Sequence, residues 1–358
     1  MPHTGFCDRF KIDIPLIQAP MAGVSTPELA AKICNSGAIG SLGLGASSAE
    51  IAYKAIESLK KATTRPFNVN FFCHKPALIA KQVEENWLQR LSPLFQKFNG
   101  QQPASLREIY TSFYSNDELF KLVMKEKPAI VSFHFGLPEP EKINAMKSAG
   151  IFLLATATNL DEALAIEHAG FNAIIAQGYE AGGHRGIFDE NSVDQCLSLA
   201  PLLKIIRKNV SIPVIAAGGI MDGRDIAAFI KLGASAVQMG TAFIGCPQSQ
   251  ADSGYRQTLT SNSAYHTVMT RAFSGRPARA LDNAFVEFTR NVPNKEVPPY
   301  PFAYDAAKQL AKLAADKQNF QFGAYWAGQG APFSRPMDAG ELVDCLKKEY
   351  YQAIQSAE

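Results

Sequence analysis

Eight short apolar runs alternate with segments of helical periodicity along most of the 358-residue chain, and this alternation constrains the fold more than any other feature. Most runs are bounded by glycine-containing turns. The segments between them begin with helix-starting residues, as where Asp161 opens "DEALAIEHAG" after Asn159. Strands that alternate with helices predict a parallel α/β fold. The runs lie at residues 15–20, 38–44, 67–72, 129–136, 151–158, 173–178, 213–220 and 236–244.

The number of units and the first turn favour a closed barrel over an open sheet. Eight strand–helix units within residues 1–245 match a (β/α)8 TIM barrel. An open dinucleotide-binding sheet would carry G-x-G-x-x-G after its first strand, whereas this chain has "MAGVSTPE" there. We therefore predict an α/β TIM barrel over residues 1–245, with an extended connection at 76–127 that forms several helices. Residues 246–358 are predicted to form a mostly helical subdomain over the barrel mouth.

Composition argues against several other classes of protein. The formal net charge is +2 and the basic residues are scattered, which argues against nucleic-acid or membrane-surface binding. The six cysteines form no C-x-x-C pair, so no metal site and no dithiol redox centre are predicted. No apolar run is long enough to span a membrane. We expect a reduced cytoplasmic protein with a small-molecule substrate, and the sequence leaves its oligomeric state open.

Polar residues and glycines follow several predicted strands, at the end where barrel enzymes place their active sites. Two glycine-containing endings on adjacent strands expose backbone N–H groups, and a helix N-terminus follows the first of them. These endings favour a phosphate site, which a sugar phosphate or FMN would fit equally well. The residues at these strand ends are His134, Gln177, His184, Gly218, Gly219, Gly240 and Thr241.

Two further strand ends favour a flat ring over a sugar. Residues 18–23, "QAPMAG", offer small side chains and one methionine for contacts with a planar group. Asn70 and Gln177 can each donate and accept hydrogen bonds. A ring with mixed donors and acceptors needs such amides, whereas a sugar phosphate more often recruits carboxylates and lysines.

Taken together, the motifs resemble those of a known enzyme family. The stretches "PLIQAPMAGVSTPELAAKICNSGAIGSLG", "VSFHFGLP", "AQGYEAGGHRG", "PVIAAGGI" and "AVQMGTAFI" are similar to the nitronate monooxygenases, once called 2-nitropropane dioxygenases. The resemblance continues into "YPFAYDAAK" and "WAGQGA", and "GGHRG" relates it to the class I branch. It implies non-covalently bound FMN on a TIM barrel. It also implies oxidation of alkyl nitronates, such as propionate 3-nitronate, by dioxygen to a carbonyl compound and nitrite.

The resemblance also implies roles for individual residues. His184 takes the catalytic role with His134 beside the substrate, while the glycines of 176–188 let that loop fold over the flavin. Either of two roles for His184 is open: a neutral base that removes the α-proton of a nitroalkane, or a cation that holds a nitronate. Tyr300, Tyr304 and Lys308 would line the mouth of the pocket. The implied FMN contacts are Ala19, Met21, Asn70, Gln177, Gly182, Gly218, Gly219, Gly240 and Thr241.

Two other functions are compatible with the sequence. One is an FMN-dependent NAD(P)H reductase of quinones or enoyl thioesters, and the other is a flavin- or sugar-phosphate-binding barrel without activity. Glu180 is predicted to be structural, because a carboxylate would repel an anionic substrate. Arg185 is equally suited to binding an anion and to anchoring its loop. The remaining histidines are predicted to be structural: His3, His74, His168 and His266.

Overall fold

Eight parallel strands form the centre of the computed structural model, which describes residues 5–356. Residues 1–4, which include His3 and begin the first predicted domain range, and residues 357–358, which end the second, lie outside the described residues. A ninth, two-residue strand, β7, lies apart from the eight. In chain order the strands are β1 (Leu16–Gln18), β2 (Ser41–Gly43), β3 (Asn68–Phe72), β4 (Ile130–His134), β5 (Phe152–Ala157), β6 (Ala173–Gln177), β7 (Gly183–His184), β8 (Val214–Ala217) and β9 (Ala236–Met239).

The eight strands close into a barrel. They are hydrogen-bonded in the order β1–β9–β8–β6–β5–β4–β3–β2, and each neighbouring pair is parallel. The ring closes just before β2, where Ile17 pairs with Ile39 and the Gln18 N–H donates to the Ile39 carbonyl at 2.8 Å. The predicted α/β TIM barrel is therefore confirmed.

Helices surround the barrel and begin at the caps that the sequence indicates. The Thr26 hydroxyl accepts from the Leu29 N–H at 3.0 Å, and Asp222 and Asp225 form a reciprocal capping box. In the described residues the α-helices are α1 (Gly5–Phe10), α2 (Pro27–Asn35), α3 (Ala49–Ala62), α4 (Lys81–Lys97), α5 (Asp117–Glu126), α6 (Pro140–Ser148), α7 (Leu160–His168), α8 (Leu199–Asn209), α9 (Gly223–Lys231), α10 (Thr241–Ile244), α11 (Ser253–Leu259), α12 (Ala284–Thr289), α13 (Phe302–Asp316) and α14 (Ala339–Gln355). Short 3-10 helices lie at Phe113–Ser115, Asn262–Tyr265, Asn294–Glu296 and Ala331–Phe333.

The amino ends of the strands are closed by apolar packing. Phe6 and Phe10 of α1 lie against Phe152 at the start of β5, and Phe10 meets it edge-on at 5.1 Å between ring centroids. Ile130 and Ile175 are buried in the same cluster. Since this end of the barrel is filled, any ligand of the barrel interior has to enter from the carboxyl ends of the strands.

The extended connection at 76–127 contains two α-helices that belong to different parts of the molecule. α4 packs against α13, and its Trp87 and Leu91 share a buried cluster with Leu310. α5 instead packs between α3 and α6 in the outer ring of the barrel. This buried cluster is separate from the barrel core. It joins α4 to the tail of the chain, by which we mean residues 246–358, and holds that tail over one rim of the barrel.

In the described part of residues 246–358, two strands accompany the helices, and the mostly helical character of this segment stays a prediction. Strands β10 (Thr267–Thr270) and β11 (Ala278–Leu281) pair antiparallel, and β11 also pairs with β7, placing Ala278 opposite His184. The tail therefore forms a three-stranded sheet with the glycine-rich loop. α14 packs against α2 and α9 in the outer ring of the barrel. The division at residue 245 stays a prediction, because the chain returns to the barrel after it.

Candidate active site

A cavity of about 540 Å³ opens at the carboxyl ends of the barrel strands. Barrel enzymes bind their substrates at this end. Its lining contains two groups of residues with different chemistry. The first, which we call the amide wall, consists of the backbone of Gly218, Gly219 and Gly240 with the side-chain amides of Asn70, Gln177 and Gln238. The second, the ring wall, consists of Phe72, Tyr110, His134, His184, Tyr304 and Trp326.

The backbone of the amide wall presents unpaired donors. Within the described part of the chain, the N–H groups of Gly218, Gly219 and Gly240 find no acceptor. Gly218 and Gly219 have φ angles of 125° and 72°, which favour glycine. The Thr241 hydroxyl accepts from the Gly328 N–H at 3.0 Å and keeps its own hydrogen for another partner. Clustered unpaired donors of this kind suit an anionic oxygen.

The side chains of the amide wall add acceptors. Asn70 donates through Nδ2 to the Ser132 carbonyl and hydroxyl at 3.1 and 3.0 Å, and its Oδ1 has no partner among the described residues. Oε1 of Gln238 on β9 is buried and also has no partner there. An unpaired buried acceptor costs about 1–3 kcal/mol. Gln238 also lines the cavity, so this unpaired acceptor lies beside the space that a ligand would occupy.

Two charged side chains, Arg185 and Glu180, anchor the loop at 176–188 to the surrounding structure. Arg185 is only 1 % exposed and donates to the Asp194 carboxylate at 2.9 and 3.0 Å and to the Gln177 carbonyl at 2.8 Å. Glu180 accepts from the first N–H of α8 at 3.0 Å. Of the two roles open to Arg185, the structure supports the loop anchor, and Glu180 is structural as predicted.

His134 uses both ring nitrogens to hold its surroundings. Its Nε2 lies 3.0 Å from the His184 carbonyl, and its Nδ1 lies 3.0 Å from the Thr156 hydroxyl. A carbonyl only accepts, so Nε2 carries the hydrogen and Nδ1 accepts from Thr156. Gln177 donates to the same His184 carbonyl at 2.9 Å. Two donors thus fix the backbone of His184, and burial lowers the pKa of His134 to about 4.

The His184 ring lies in an aromatic surround with one nitrogen unpaired. Ring centroids of Trp326, Phe135 and Tyr300 lie 5.1, 5.5 and 5.7 Å from its own. Nε2 is 2.9 Å from the Ser274 hydroxyl, whereas Nδ1 has no partner among residues 5–356.

Burial is also the main influence on the charge of His184. It lowers the pKa of the imidazole to about 3, and repulsion from His134 and from the Arg276 guanidinium acts in the same direction. The ring is therefore neutral at pH 7. Of the two roles that the sequence left open, this electrostatic environment argues against the cation at pH 7 and leaves the neutral base, whose strength the same lowered pKa reduces.

A lysine lies between two tyrosines on the cavity lining. The Lys308 ammonium is 5.0 Å from the ring centroids of both Tyr110 and Tyr304. It has no carboxylate partner in the described part of the chain, and desolvation lowers its pKa. Tyr304 is held in turn by Trp326, whose indole N–H donates to its hydroxyl at 3.2 Å. This arrangement leaves one cation available for an anionic ligand.

Tyr300 lies behind the cavity lining rather than on it. It is 1 % exposed and packs against His184 and against His74, whose ring centroid is 4.9 Å away. In the described residues, neither the Tyr300 hydroxyl nor either His74 nitrogen has a partner. The predicted role of Tyr300 at the pocket mouth stays a prediction.

Every other predicted site residue lines the cavity, although the contacts assigned to each of them stay predictions. Residues that the sequence did not single out also lie at the site, among them Gln238, Tyr110, Trp326 and Ser274. Gln238 could have been predicted from the sequence, because it is a polar residue inside the apolar run "AVQMGTAFI". The predicted residues on the lining are Ala19, Met21, Asn70, His134, Gln177, Gly182, His184, Gly218, Gly219, Gly240, Thr241, Tyr304 and Lys308.

Residues 5–356 contain neither a metal-binding cluster nor a membrane-spanning helix. No cluster of three or more histidine, cysteine, aspartate or glutamate side chains in that range could hold a metal ion. None of the helices in the same range has the length and apolar character needed to cross a membrane.

The fold and the cavity define an α/β-barrel enzyme that binds its ligand at the carboxyl ends of the strands. The sequence matches the model of a family described as nitronate monooxygenase over residues 4–349. The nitronate monooxygenase of Paraburkholderia phytofirmans is 50 % identical over 344 residues, which cover 96 % of this chain and 94 % of that protein. The nitronate monooxygenase of Pseudomonas aeruginosa is 45 % identical over 348 residues, covering 96 % and 99 %. The chain belongs to the nitronate monooxygenase family and is an oxidoreductase, and its family implies a flavin cofactor.

Solved structures agree with this assignment. A nitroalkane oxidase from Streptomyces ansochromogenes superposes with a TM-score of 0.90 at 38 % identity, covering 97 % of this chain and 98 % of that one. FabK from Thermotoga maritima superposes with a TM-score of 0.76 at 28 % identity, covering 100 % and 99 %. The similarity extends over the tail as well as the barrel.

Proposed function

We propose that the protein binds FMN and oxidises alkyl nitronates with dioxygen, giving a carbonyl compound and nitrite. In net terms the C–N bond breaks, the carbon gains one oxygen atom and the nitrogen leaves as nitrite, so that one dioxygen molecule supplies the oxygen for two nitronates. One observation carries the proposal: His184 is a neutral imidazole with a free Nδ1, on the surface of a cavity whose amide wall holds unpaired donors and acceptors. Membership of the family supports a flavin-dependent oxidation.

The amide wall fits FMN. Gly218, Gly219, Gly240 and Thr241 would hold the phosphate through N–H groups and a hydroxyl that have donors to spare. The unpaired Oε1 of Gln238 and the side chain of Asn70 would meet the ring and the ribityl chain. The bound flavin supplies the redox centre between nitronate and dioxygen.

The mouth of the cavity favours a substrate with a second negative charge. The Lys308 ammonium lacks a carboxylate partner in the described part of the chain and lies between Tyr110 and Tyr304. A ligand carboxylate would take this position with a charge-assisted hydrogen bond. Propionate 3-nitronate carries a carboxylate as well as the nitronate, so we propose it as a better substrate than an uncharged alkyl nitronate.

His184 would act as a base when the substrate is a neutral nitroalkane. The α-proton moves from carbon to Nδ1, and the electron pair of the broken C–H bond remains as the nitronate. A preformed nitronate has already lost this proton and needs no base. The name of the Streptomyces relative, a nitroalkane oxidase, supports activity on the neutral form.

Oxygen consumption by the FMN-loaded protein tests the proposal. Propionate 3-nitronate and NADH are compared under identical aeration, with free FMN at the same concentration as the control. Rapid uptake with the nitronate, accompanied by nitrite, and slow uptake with NADH are expected. The reverse pattern would replace this proposal with the NAD(P)H reductase. Release of the flavin by heat, followed by chromatography, distinguishes FMN from a larger flavin.

A further inference from the structure

The environment of the Ser274 hydroxyl determines which nitrogen of His184 is protonated. Ser274 is fully buried in the turn between β10 and β11, and this turn reaches the glycine-rich loop because β11 pairs with β7. Its hydroxyl has three neighbours. It lies 2.9 Å from Nε2 of His184, 3.2 Å from the Arg276 carbonyl and 3.4 Å from the Arg276 N–H.

A hydroxyl has one hydrogen to donate and two lone pairs that accept. The Arg276 carbonyl can only accept, so it receives the single Ser274 hydrogen. The Arg276 N–H can only donate, so it occupies one lone pair. The remaining lone pair faces Nε2 of His184, which must therefore carry the ring hydrogen in this arrangement.

The other ring nitrogen follows from this assignment. A neutral imidazole carries one hydrogen, so Nδ1 is left with a lone pair. The described residues provide no donor to that lone pair, and His184 lines the cavity. The opposite tautomer would place a hydrogen on Nδ1 and leave the Arg276 carbonyl without its buried donor, at a cost of about 1–3 kcal/mol.

We infer that Ser274 is a positioning residue that holds His184 as the Nε2–H tautomer and directs the Nδ1 lone pair into the cavity to receive the α-proton of a neutral nitroalkane. This inference rests on the proposed function. It assigns a catalytic consequence to the turn between β10 and β11, which lies outside the eight barrel strands. A nitronate requires no proton removal, so its oxidation does not depend on the tautomer.

Two substrates separate this role from a purely structural one. Ser274→Ala is compared with the unaltered protein on a nitroalkane kept neutral and on the nitronate prepared from it beforehand. We expect kcat for the neutral nitroalkane to fall about 10- to 100-fold with KM unchanged, and kcat for the nitronate to be retained. Ser274→Thr keeps the hydroxyl and is expected to restore the nitroalkane activity. Ser249→Ala is the control: Ser249 is a buried serine that does not itself line the cavity, and its hydroxyl donates to the backbone carbonyl of Ile244.

The tautomer is also measured directly in the unaltered holoprotein. Nitrogen chemical shifts of isotope-labelled histidine show which ring nitrogen carries hydrogen, and His184→Asn identifies the signal. We expect hydrogen on Nε2 of His184. Hydrogen on Nδ1 would overturn the inference, as would equal losses of nitroalkane and nitronate activity in Ser274→Ala. If Ser274→Ala loses its flavin or fold, the spectrum of the unaltered protein still decides, and it does so even if neither substrate is oxidised and the proposed function fails.

Discussion

The amide wall and the ring wall of the cavity consist of different residue types that come from different parts of the chain. The groups of the amide wall belong to the barrel strands or to the turns that directly follow them. Much of the ring wall depends on the tail: Tyr304 and Trp326 lie there, and so does Ser274, which bonds to His184. One wall offers unpaired hydrogen-bonding groups, and the other offers neutral rings and a single lysine at its edge.

This difference separates two tasks. The amide wall is suited to holding a phosphate and a heterocycle, which demand the same contacts whatever the substrate. The ring wall is suited to selecting the substrate and moving its proton. Changes in the amide wall should therefore alter flavin affinity first, whereas changes in the ring wall should alter turnover while the flavin stays bound.

The largest effect is expected from His184→Asn. Loss of the base should lower kcat/KM for a neutral nitroalkane by about 10²- to 10⁴-fold, while the flavin spectrum and affinity stay unchanged. Steady-state kinetics and flavin titration measure both quantities. His168→Asn, on the exposed side of α7, is the matched control. Loss of flavin in His184→Asn would mean that the two walls are not independent.

In the amide wall, Gly219→Val is the corresponding test. The φ of 72° at this position strains a β-branched residue by about 1–3 kcal/mol, and relief of the strain would move the N–H group. We expect FMN to bind about 5- to 150-fold more weakly, as measured by fluorescence titration. Gly150→Val places the same residue at a φ of 82° beyond the end of α6, away from the cavity, and should leave FMN affinity intact. Equal losses in both variants would reduce the role of Gly219 to stability.

The two walls also differ in how far the sequence predicts them. The sequence predicts that Gly218, Gly219 and Gly240 line the site, because barrel enzymes place their active sites at the carboxyl ends of the strands. The turns that follow these strands are encoded by residues next to each other in the sequence. Ser274 and Trp326 lie in irregular tail segments whose position depends on pairing between β7 and β11, ninety or more residues apart in the chain. No periodicity encodes such a contact. Gln238 and Lys308 fall between these cases. A polar residue inside an apolar run, or a lysine near an aromatic segment, can be noticed in the sequence, but only the fold shows that the residue lines the cavity.

Lys308→Met should change specificity more than turnover. Loss of a charge-assisted contact is expected to raise KM for propionate 3-nitronate by about 10- to 100-fold, and to leave KM for an uncharged alkyl nitronate unchanged. The ratio of kcat/KM for the two substrates measures the effect. Lys312→Met, one turn further along α13 and paired with Asp316, is the control. Equal changes for both substrates would place the carboxylate elsewhere.

The smallest effect is expected from pH. Burial lowers the pKa of His184 to about 3, so its neutral, basic form is present above that pH and is lost only as the pH falls through it. Since kcat/KM reports the free enzyme, its value for a neutral nitroalkane should be constant between about pH 5 and 8. A solvent-exposed histidine with the ordinary pKa near 6.5 would instead lose about 30-fold over this range. A pH profile of kcat/KM, with flavin absorbance recorded at each pH, distinguishes the two cases. A fall centred near pH 6.5 with the flavin still bound would mean that water reaches His184 and that the ring wall does not shield its base.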